Sequence, residues 1–409
     1  MDITPLYPRV MGLDVHQAKL SACAIAEPAD GTVTVEHREF GAFKRDRRAL
    51  AEWAKAVGPT VVVMESTGVY WKSPYAALER AGIVAWVVKA RHVKAVPGRK
   101  TDIADAQWLA ILARAGLLRG SFIPPAALRH LRLIARHRQK LGGMLAAEKN
   151  RLHKVLTDAG IRLNVLVSDL HGQAGRAMVK ALIADQPSAA MLKDIGRLKA
   201  SREDLFEALQ TDDLTATHRF VLAEIMAHSE ELEARMSRFE TALLEDLAPW
   251  QSLLVLLQTL PGIDPIGAAM RLVEIGTDRA VFGSAERLAS GVGICPGNHE
   301  SAGKRKSGKT RKGNAWVRRL LCEFAQAAAR SRCALKDKFT ALTLRKGHKK
   351  SIVALAHKLL RIIYAMLSRH TPYQDRAVDY EALLVQRNAP RWIKMLVKHG
   401  FIAPASASA

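Results

Sequence analysis

The sequence predicts an N-terminal α/β domain followed by a long, mostly helical remainder. Three observations carry that expectation. Residues 9–40 read as three strands, and strands then alternate with helices to about residue 88. From Ala127 onward the apolar residues recur at spacings of three and four. The chain has 409 residues, more than one hydrophobic core usually holds, since cores stop growing at roughly 250–300 residues.

In order, Val10-Met11-Gly12-Leu13-Asp14-Val15 is a short apolar run with one acid near its end, and Leu20 to Ala26 and Thr32 to Phe40 follow. The last alternates at Val33, Val35 and His37. Asp46 to Ala56 is helical by period, with Leu50, Trp53 and Ala54 on one face. Thr60 to Glu65 is continuously apolar until its final residue, as in strands buried on both faces. A helix at 74–81, a strand from Ile83 to Val88 and a helix running from Asp102 through Leu117 complete the domain, which ends near Pro124-Pro125.

From Ala127 to about Leu170 the pattern is helical and basic, with an apolar stripe at Leu131, Ile134, Leu141, Leu145, Leu152 and Val155. A second run, Thr215 to Leu247, repeats the stripe at Leu222, Ile225, Leu232, Met236, Phe239 and Leu243. These spacings suit a coiled coil or a long helical hairpin, and core packing and a dimer seam explain the stripes equally well. Leu260-Pro261-Gly262-Ile263-Asp264-Pro265-Ile266-Gly267 has the form of a helix-hairpin-helix turn, where Gly262 would let backbone N–H groups meet phosphate; an ordinary helix–turn–helix packing unit reads the same way. His299 to Asn314 is a Gly-, Ser- and Lys/Arg-rich loop that carries Lys304, Arg305, Lys306, Lys309, Arg311 and Lys312 and runs into a helix bearing Arg318. Residues 336–400 are basic and helical, and 401–409 form a low-complexity tail expected to be disordered.

Charge narrows the partner. The chain has 62 Lys+Arg against 39 Asp+Glu, a formal net charge of +23, which points to nucleic acid before membrane. No basic amphipathic anchor stands out, and the longest apolar run, Leu253 to Leu257, is too short to cross a bilayer. Cys23, Cys295, Cys322 and Cys333 form no CxxC pair, so neither a zinc site nor a disulfide framework is expected. With no leader pattern in Met1 to Arg9, the expectation is a cytoplasmic, nucleoid-associated protein without membrane contact.

Asp102 and Asp105 stand one helical turn apart, after a basic loop with Arg91, Lys94, Arg99 and Lys100 that could hold a backbone phosphate. Capping of a helix start by Thr101 and Asp102 is the plainer explanation. Asp14 and Glu65, however, end two strands that would reach one sheet edge as neighbours. Four acids converging there would call for a divalent metal, and oxygen donors suit Mg²⁺ or Mn²⁺. Solvated strand ends are the alternative, weakened by the apolar strand that Glu65 closes.

The order Gly12-Leu13-Asp14-Val15-His16, then Met64-Glu65-Ser66-Thr67-Gly68-Val69-Tyr70, then Lys100-Thr101-Asp102-Ile103-Ala104-Asp105-Ala106 resembles the DEDD transposases of the IS110 family. Leu260-Pro261-Gly262, Gly293-Ile294-Cys295-Pro296, Ser301-Ala302-Gly303-Lys304 and Arg311-Lys312-Gly313-Asn314 resemble that family's C-terminal transposase domain. The resemblance implies an RNase H-like (RuvC-like) α/β domain at 8–125, a helical coiled-coil linker at 126–250, a mostly α C-terminal transposase domain at 251–335 and basic helices at 336–400. It implies Asp14, Glu65, Asp102 and Asp105 as metal ligands and catalytic residues, and a serine nucleophile that maps to Ser301, with Ser307 close by. Where the family more often has glycine, this chain has Ala302. It further implies donor and target DNA, a non-coding bridge RNA and a homo-oligomer as partners. Two rivals stand beside this reading: a metal-only nuclease similar to a Holliday junction resolvase, and a non-catalytic nucleic-acid-binding protein. His16 and His299 could support the metal ligands or move protons, but lone histidines are more often structural, and neither is counted among the site residues.

Overall fold

Side-chain alternation along the first strand sets the architecture of the N-terminal part. In β1 (Arg9–Val15), Met11, Leu13 and Val15 are buried in one apolar layer and Val10 in another. A strand apolar on both faces belongs in the middle of a sheet covered on both sides, and β1 holds that place. β2 (Lys19–Ala26) pairs antiparallel with β1, and β3 (Thr34–Gly41) pairs antiparallel with β2. α1 (Lys44–Val57) leads to β4 (Val61–Glu65), which lies parallel to β1; α2 (Lys72–Arg80) leads to β5 (Ala85–Val88), parallel to β4. The sheet order is β3-β2-β1-β4-β5, and α3 (Asp105–Arg114) closes the unit. The computed structural model describes residues 5–402 apart from 29–30, 67, 91–92, 94–104, 168, 187–199, 211–212, 279, 298 and 376–379. The chain divides into two compact units, Met1–Ala126 and Ala127–Ala409.

α1 and α2 cover one face of the sheet, where Leu50, Trp53, Ala54 and Leu78 pack with Met11, Leu13, Val62 and Met64. α3 covers the other, with Leu109, Ala110 and Ala113 against Val10, Val61 and Val63. Each fully buried aliphatic side chain stabilises by roughly 1.5–3 kcal/mol. The edge strand differs from expectation. The alternation at Val33 and Val35 marks no buried face, since they are 46% and 45% exposed. β3 instead carries Glu36, Arg38 and Glu39 into solvent, a charged edge of the kind that discourages pairing with another chain.

In the second unit, α4 (Ala126–Asp158) is a 33-residue helix, about 50 Å long at 1.5 Å per residue. Left-handed Gly160 ends the run that the sequence carries to Leu170, and the short helices α5 (Leu163–Leu166), α6 (Gln173–Ile183) and α7 (Arg202–Ala208) follow. α8 (Ala216–Asp246) then returns along α4. Pairs Arg138–Glu240, Lys149–Glu233, Glu148–His228 and Asp158–His218 rise on one helix as they fall on the other, so the two are antiparallel. Leu141 and Leu145 meet Leu232, Met236 and Phe239 between them. The periodic stripes thus pack against each other inside one chain as a helical hairpin.

The remainder is helical: α9 (Gln251–Gln258), α10 (Pro265–Ile275), α11 (Ala285–Val292), the hairpin β6 (His299–Ser301) and β7 (Lys304–Ser307), α12 (Ala315–Ala328), α13 (Ala334–Lys346), α14 (His348–Arg369) and α15 (Tyr380–Lys398). By length and composition α14 could cross a membrane. Here its Ile352, Leu355, Leu359 and Ile363 lie in the core shared with α9, α10 and α12. Gly262, between α9 and α10, sits at φ +90°, and a Cβ there would lie 2.7 Å from the Phe324 carbonyl oxygen and 2.8 Å from the Ala328 nitrogen of α12. Helix packing thus accounts for this glycine, where the sequence suggests phosphate contact.

Candidate active site

The acids of the first unit are placed by β1, β4 and α3. Residues two apart along a strand share a face, so Asp14 lies on the face of Val10 and Gly12, and Glu65 on the face of Val61 and Val63. That is the face α3 covers. The β1–β4 register runs through Leu13 opposite Met64, which sets Asp14 and Glu65 at the next step along the same parallel pair. Both therefore leave the carboxyl ends of adjacent parallel strands, the edge where open α/β sheets bind ligands.

Gly12 brings α3 onto this edge. A Cβ at Gly12 would lie 1.9 Å from the Ala106 carbonyl oxygen and 2.7 Å from the Ala110 nitrogen, a closeness only glycine permits. At the other end of α3, the Arg114 carbonyl accepts from Leu6 N at 2.9 Å and Tyr7 N at 3.3 Å. α3 thus runs antiparallel to β1, and Asp105, its first residue, stands at the Asp14 end. The helix dipole favours a carboxylate there. Asp14 Oδ2 lies 2.8 Å from His16 Nε2, and its side chain is 24% exposed, open to a ligand. A histidine two residues beyond a strand-end acid is the sequence cue for this contact, and it sets His16 beside a proposed metal ligand. Asp102 lies outside the described residues, as do Arg91, Lys94, Arg99 and Lys100. Among the described residues no three His, Cys, Asp or Glu side chains are grouped closely enough to hold a metal ion.

The serine belongs to the second unit. Ser301 pairs with Lys304 across the tip of the β6–β7 hairpin, whose two turn residues, Ala302 at φ +49° and Gly303 at φ +71°, are both left-handed. Two-residue hairpin turns need that geometry and favour glycine or asparagine for it, so Ala302 sits where glycine would be at ease. Lys304, Lys309, Arg311 and Lys312 are exposed. The side chains of Ser301, Arg305 and Lys306 are not among those described. The base of the hairpin is tied by Gly297 N donating to the Lys309 carbonyl at 3.0 Å. Arg318 is built into this base: its Nη2 donates to the carbonyls of Gly293 and of Arg311, the latter at 2.6 Å. It organises the basic loop, where the sequence suggests a free cation on the following helix.

Beneath the loop lies a charged network that sequence reasoning missed. Glu274 of α10 is buried, and its Oε1 accepts from Arg136 Nε at 2.7 Å. Its Oε2 accepts from Arg136 Nη2 at 3.0 Å and from Asn314 Nδ2 at 2.9 Å. Asn314 Oδ1 in turn caps α12 by accepting from Trp316 N and Val317 N. Arg132 donates to the backbone carbonyls of Val273 and Glu274. Burial alone would raise the Glu274 carboxyl; the Arg136 hydrogen bond and the charges of Arg132 and Arg136 outweigh it and hold the group below the ordinary carboxylate range. Burial pushes the Arg132 guanidinium down to about 10 against the attraction of Glu274. No motif spacing announces this network, because its partners lie about 140 residues apart.

Residues 11–161 match the model of DEDD transposases of IS110 elements, described as "Transposase", and residues 254–340 match "Transposase IS116/IS110/IS902 family". The two matches together span more than half of the chain. The protein belongs to the IS110 family of transposases and is an enzyme of DNA recombination. It is 26% identical over 341 residues to a probable family 20 transposase of Pseudomonas aeruginosa, covering 80% of this chain and 90% of that one. It is 23% identical over 375 residues to the transposase for insertion sequence element IS1111A of Coxiella burnetii, covering 90% and 91%. A pilin gene-inverting protein of Moraxella bovis is 34% identical over 125 residues, 30% of this chain and 38% of that one. Among solved structures, Thermus thermophilus RuvC aligns over 28% of this chain and 99% of its own, at 16% identity and a TM-score of 0.22.

Proposed function

We propose that the protein moves an insertion element by joining two chemistries: divalent-metal catalysis at Asp14, Glu65, Asp102 and Asp105, and nucleophilic attack by Ser301. The observation that carries this reading is the common position of Asp14 and Glu65, on one face at the carboxyl ends of β1 and β4, with the first residue of α3 brought to the same end. Carboxylate oxygens are the donors that Mg²⁺ or Mn²⁺ prefers, so these residues fit such an ion in donor chemistry, while Asp14, Glu65 and Asp105 would have to draw closer together to share it. Asp102, the DNA phosphate or water would complete its coordination. The bound ion would stabilise charge developing on the scissile phosphate.

The chain's own groups do the rest. Ser301 Oγ bonds to phosphorus while a sugar oxygen leaves, and the serine's proton passes to that leaving side. Reversal by the hydroxyl of another strand rejoins DNA without an external energy source. Lys304, Arg305 and Arg311 neutralise the phosphorane charge, and Lys306, Lys309 and Lys312 add backbone contacts. Arg318 and the Glu274–Asn314 link hold the hairpin at both ends. Arg91, Lys94, Arg99 and Lys100, in the stretch that precedes Asp102 in the sequence, bind nucleic-acid backbone, and a bridge RNA supplied with the DNA selects the target. The protein works in the cytoplasm on the nucleoid, as a homo-oligomer in which the acids of one subunit meet the serine of another. Crosslinking Asp102 to Ser301 in mixed-label oligomers tests this, and contact found only within a subunit would overturn it.

The experiment is a plasmid recombination assay with flanking non-coding DNA supplied or withheld. Asp14→Asn and Glu65→Gln are expected to lower product by at least about 100-fold while the melting temperature in metal-free buffer stays near wild type. Mg²⁺ or Mn²⁺ should raise the melting temperature of the wild type and leave that of Asp14→Asn unmoved. Recombination that survives both substitutions rules out the proposed role of the acids. Strand cleavage that survives Ser301→Ala favours the metal-only nuclease.

A further inference from the structure

The strongest unassigned feature is a cleft of about 530 Å³ between α1 and α2, on the sheet face opposite the acids. Five cations line it: Lys44, Arg47, Arg48 and Lys55 from α1, and Arg80 from α2. Lys44, Arg48 and Lys55 follow one another at intervals of four and seven residues, so they form a stripe about 16 Å long on one side of the helix. Glu52 is the single acid in the cleft. None of Lys44, Arg48, Lys55 and Arg80 is in an ion pair with a carboxylate among the described residues, and all four are exposed. On α4, by contrast, Arg136, Arg138, Lys149 and Arg151 each face a glutamate.

We propose that this cleft is a second nucleic-acid site, which holds the phosphodiester backbone of a duplex while a different segment is processed at the acids. This rests on the reading of the chain as a nucleic-acid enzyme, and not on the metal or serine chemistry. Concentrated, unneutralised positive charge in a concave site repels itself and is relieved by a polyanion. The floor is made of Ala51, Ala77 and Ala81, which let a backbone approach closely. The lining contains no aromatic side chain on which unstacked bases could lie, as single-strand sites use. Apart from Glu52 its polar lining is all Lys and Arg, the side chains that neutralise backbone phosphate. Because α1 and α2 cover one face and the acids open on the other, one sheet can hold two segments at once.

The test measures binding of the full chain in the absence of divalent ions, so its result is independent of recombination. The probes are a B-form DNA duplex and an A-form RNA duplex, each titrated across a salt series. The variant is Arg48→Gln/Lys55→Gln/Arg80→Gln; Arg45→Gln, which removes a charge next to Asp46 outside the cleft, is the control. Each lost phosphate contact lowers the slope of log affinity against log salt by about 0.9 on duplex DNA. Three lost contacts should therefore shrink the fall in affinity between about 50 and 200 mM salt by about 40-fold. Loss confined to one probe identifies which backbone the cleft holds. Lys55→Glu alone, expected to lower the slope by at least about 0.9 on the same probe, keeps the test decisive should the triple variant fold poorly. Unchanged slopes on both probes, with Arg45→Gln indistinguishable from the cleft variants, would overturn the proposal.

Discussion

Gly12 is the residue on which the placement of Asp105 depends. Its missing Cβ lets the Ala106 carbonyl lie where a methyl group would be, 1.9 Å from the ideal Cβ position. Gly12→Ala is expected to push α3 away from β1, to destabilise the first unit by about 1–3 kcal/mol and to lower recombination further than the stability loss explains. Urea unfolding and a recombination assay on the same preparation check both parts. Glu274 plays a comparable part under the basic hairpin. Its folded-state carboxyl lies below its ordinary value, so its contribution is present above that ordinary value of 4.5 and is lost as pH falls through the depressed folded value. Glu274→Gln leaves Arg132 and Arg136 without their carboxylate and should cost about 3–5 kcal/mol at neutral pH. It should also flatten the stability profile below about pH 4.5, since the group that titrates there is gone. A profile with unchanged acid slope would show that Glu274 does not carry that dependence.

At the scale of elements, the sheet was legible because each strand announces itself by composition. β1 and β4 are apolar on both faces, and an acid at the end of an otherwise apolar strand stands out. β3 was legible only as a strand: Val33 and Val35 alternate, yet the edge leaves them half in water, because a strand's period shows that faces differ and not which neighbour covers them. The stripes on α4 and α8 mark helices correctly, but spacing cannot tell an internal partner from a second subunit, and here the partner is internal. In the candidate site, Gly262 and Arg318 sit in motifs that suit phosphate, and each also meets neighbouring backbone, Gly262 that of α12 and Arg318 the carbonyls of Gly293 and Arg311. The Glu274 network was invisible because long-range pairing leaves no local pattern. Arg318→Ala is accordingly expected to loosen the hairpin and lower recombination while leaving the salt slope of DNA binding near wild type; a slope reduced by about 0.9 would show instead that Arg318 meets a phosphate.

At the scale of the molecule, the +23 net charge is not spread evenly. Much of the basic character of α4 is consumed by Glu148, Glu233, Glu240 and Glu274 within the second unit. Exposed cations outside these pairs include those of the β6–β7 hairpin, those of the cleft between α1 and α2, and those of the C-terminal helices such as Arg345, Lys346, Lys349 and Lys350. The proposed function divides the work between the two units, carboxylates on a sheet edge in one and a serine at the tip of a basic hairpin in the other, and it requires both in one reaction. The most direct measurement is recovery of a covalent protein–DNA adduct from a recombination mixture quenched in denaturant, with the attached residue mapped by peptide sequencing. The account predicts a phosphodiester on Ser301, strongly reduced in Asp14→Asn and absent in Ser301→Ala. Full recombination by Ser301→Ala, with no adduct at any serine, would contradict it.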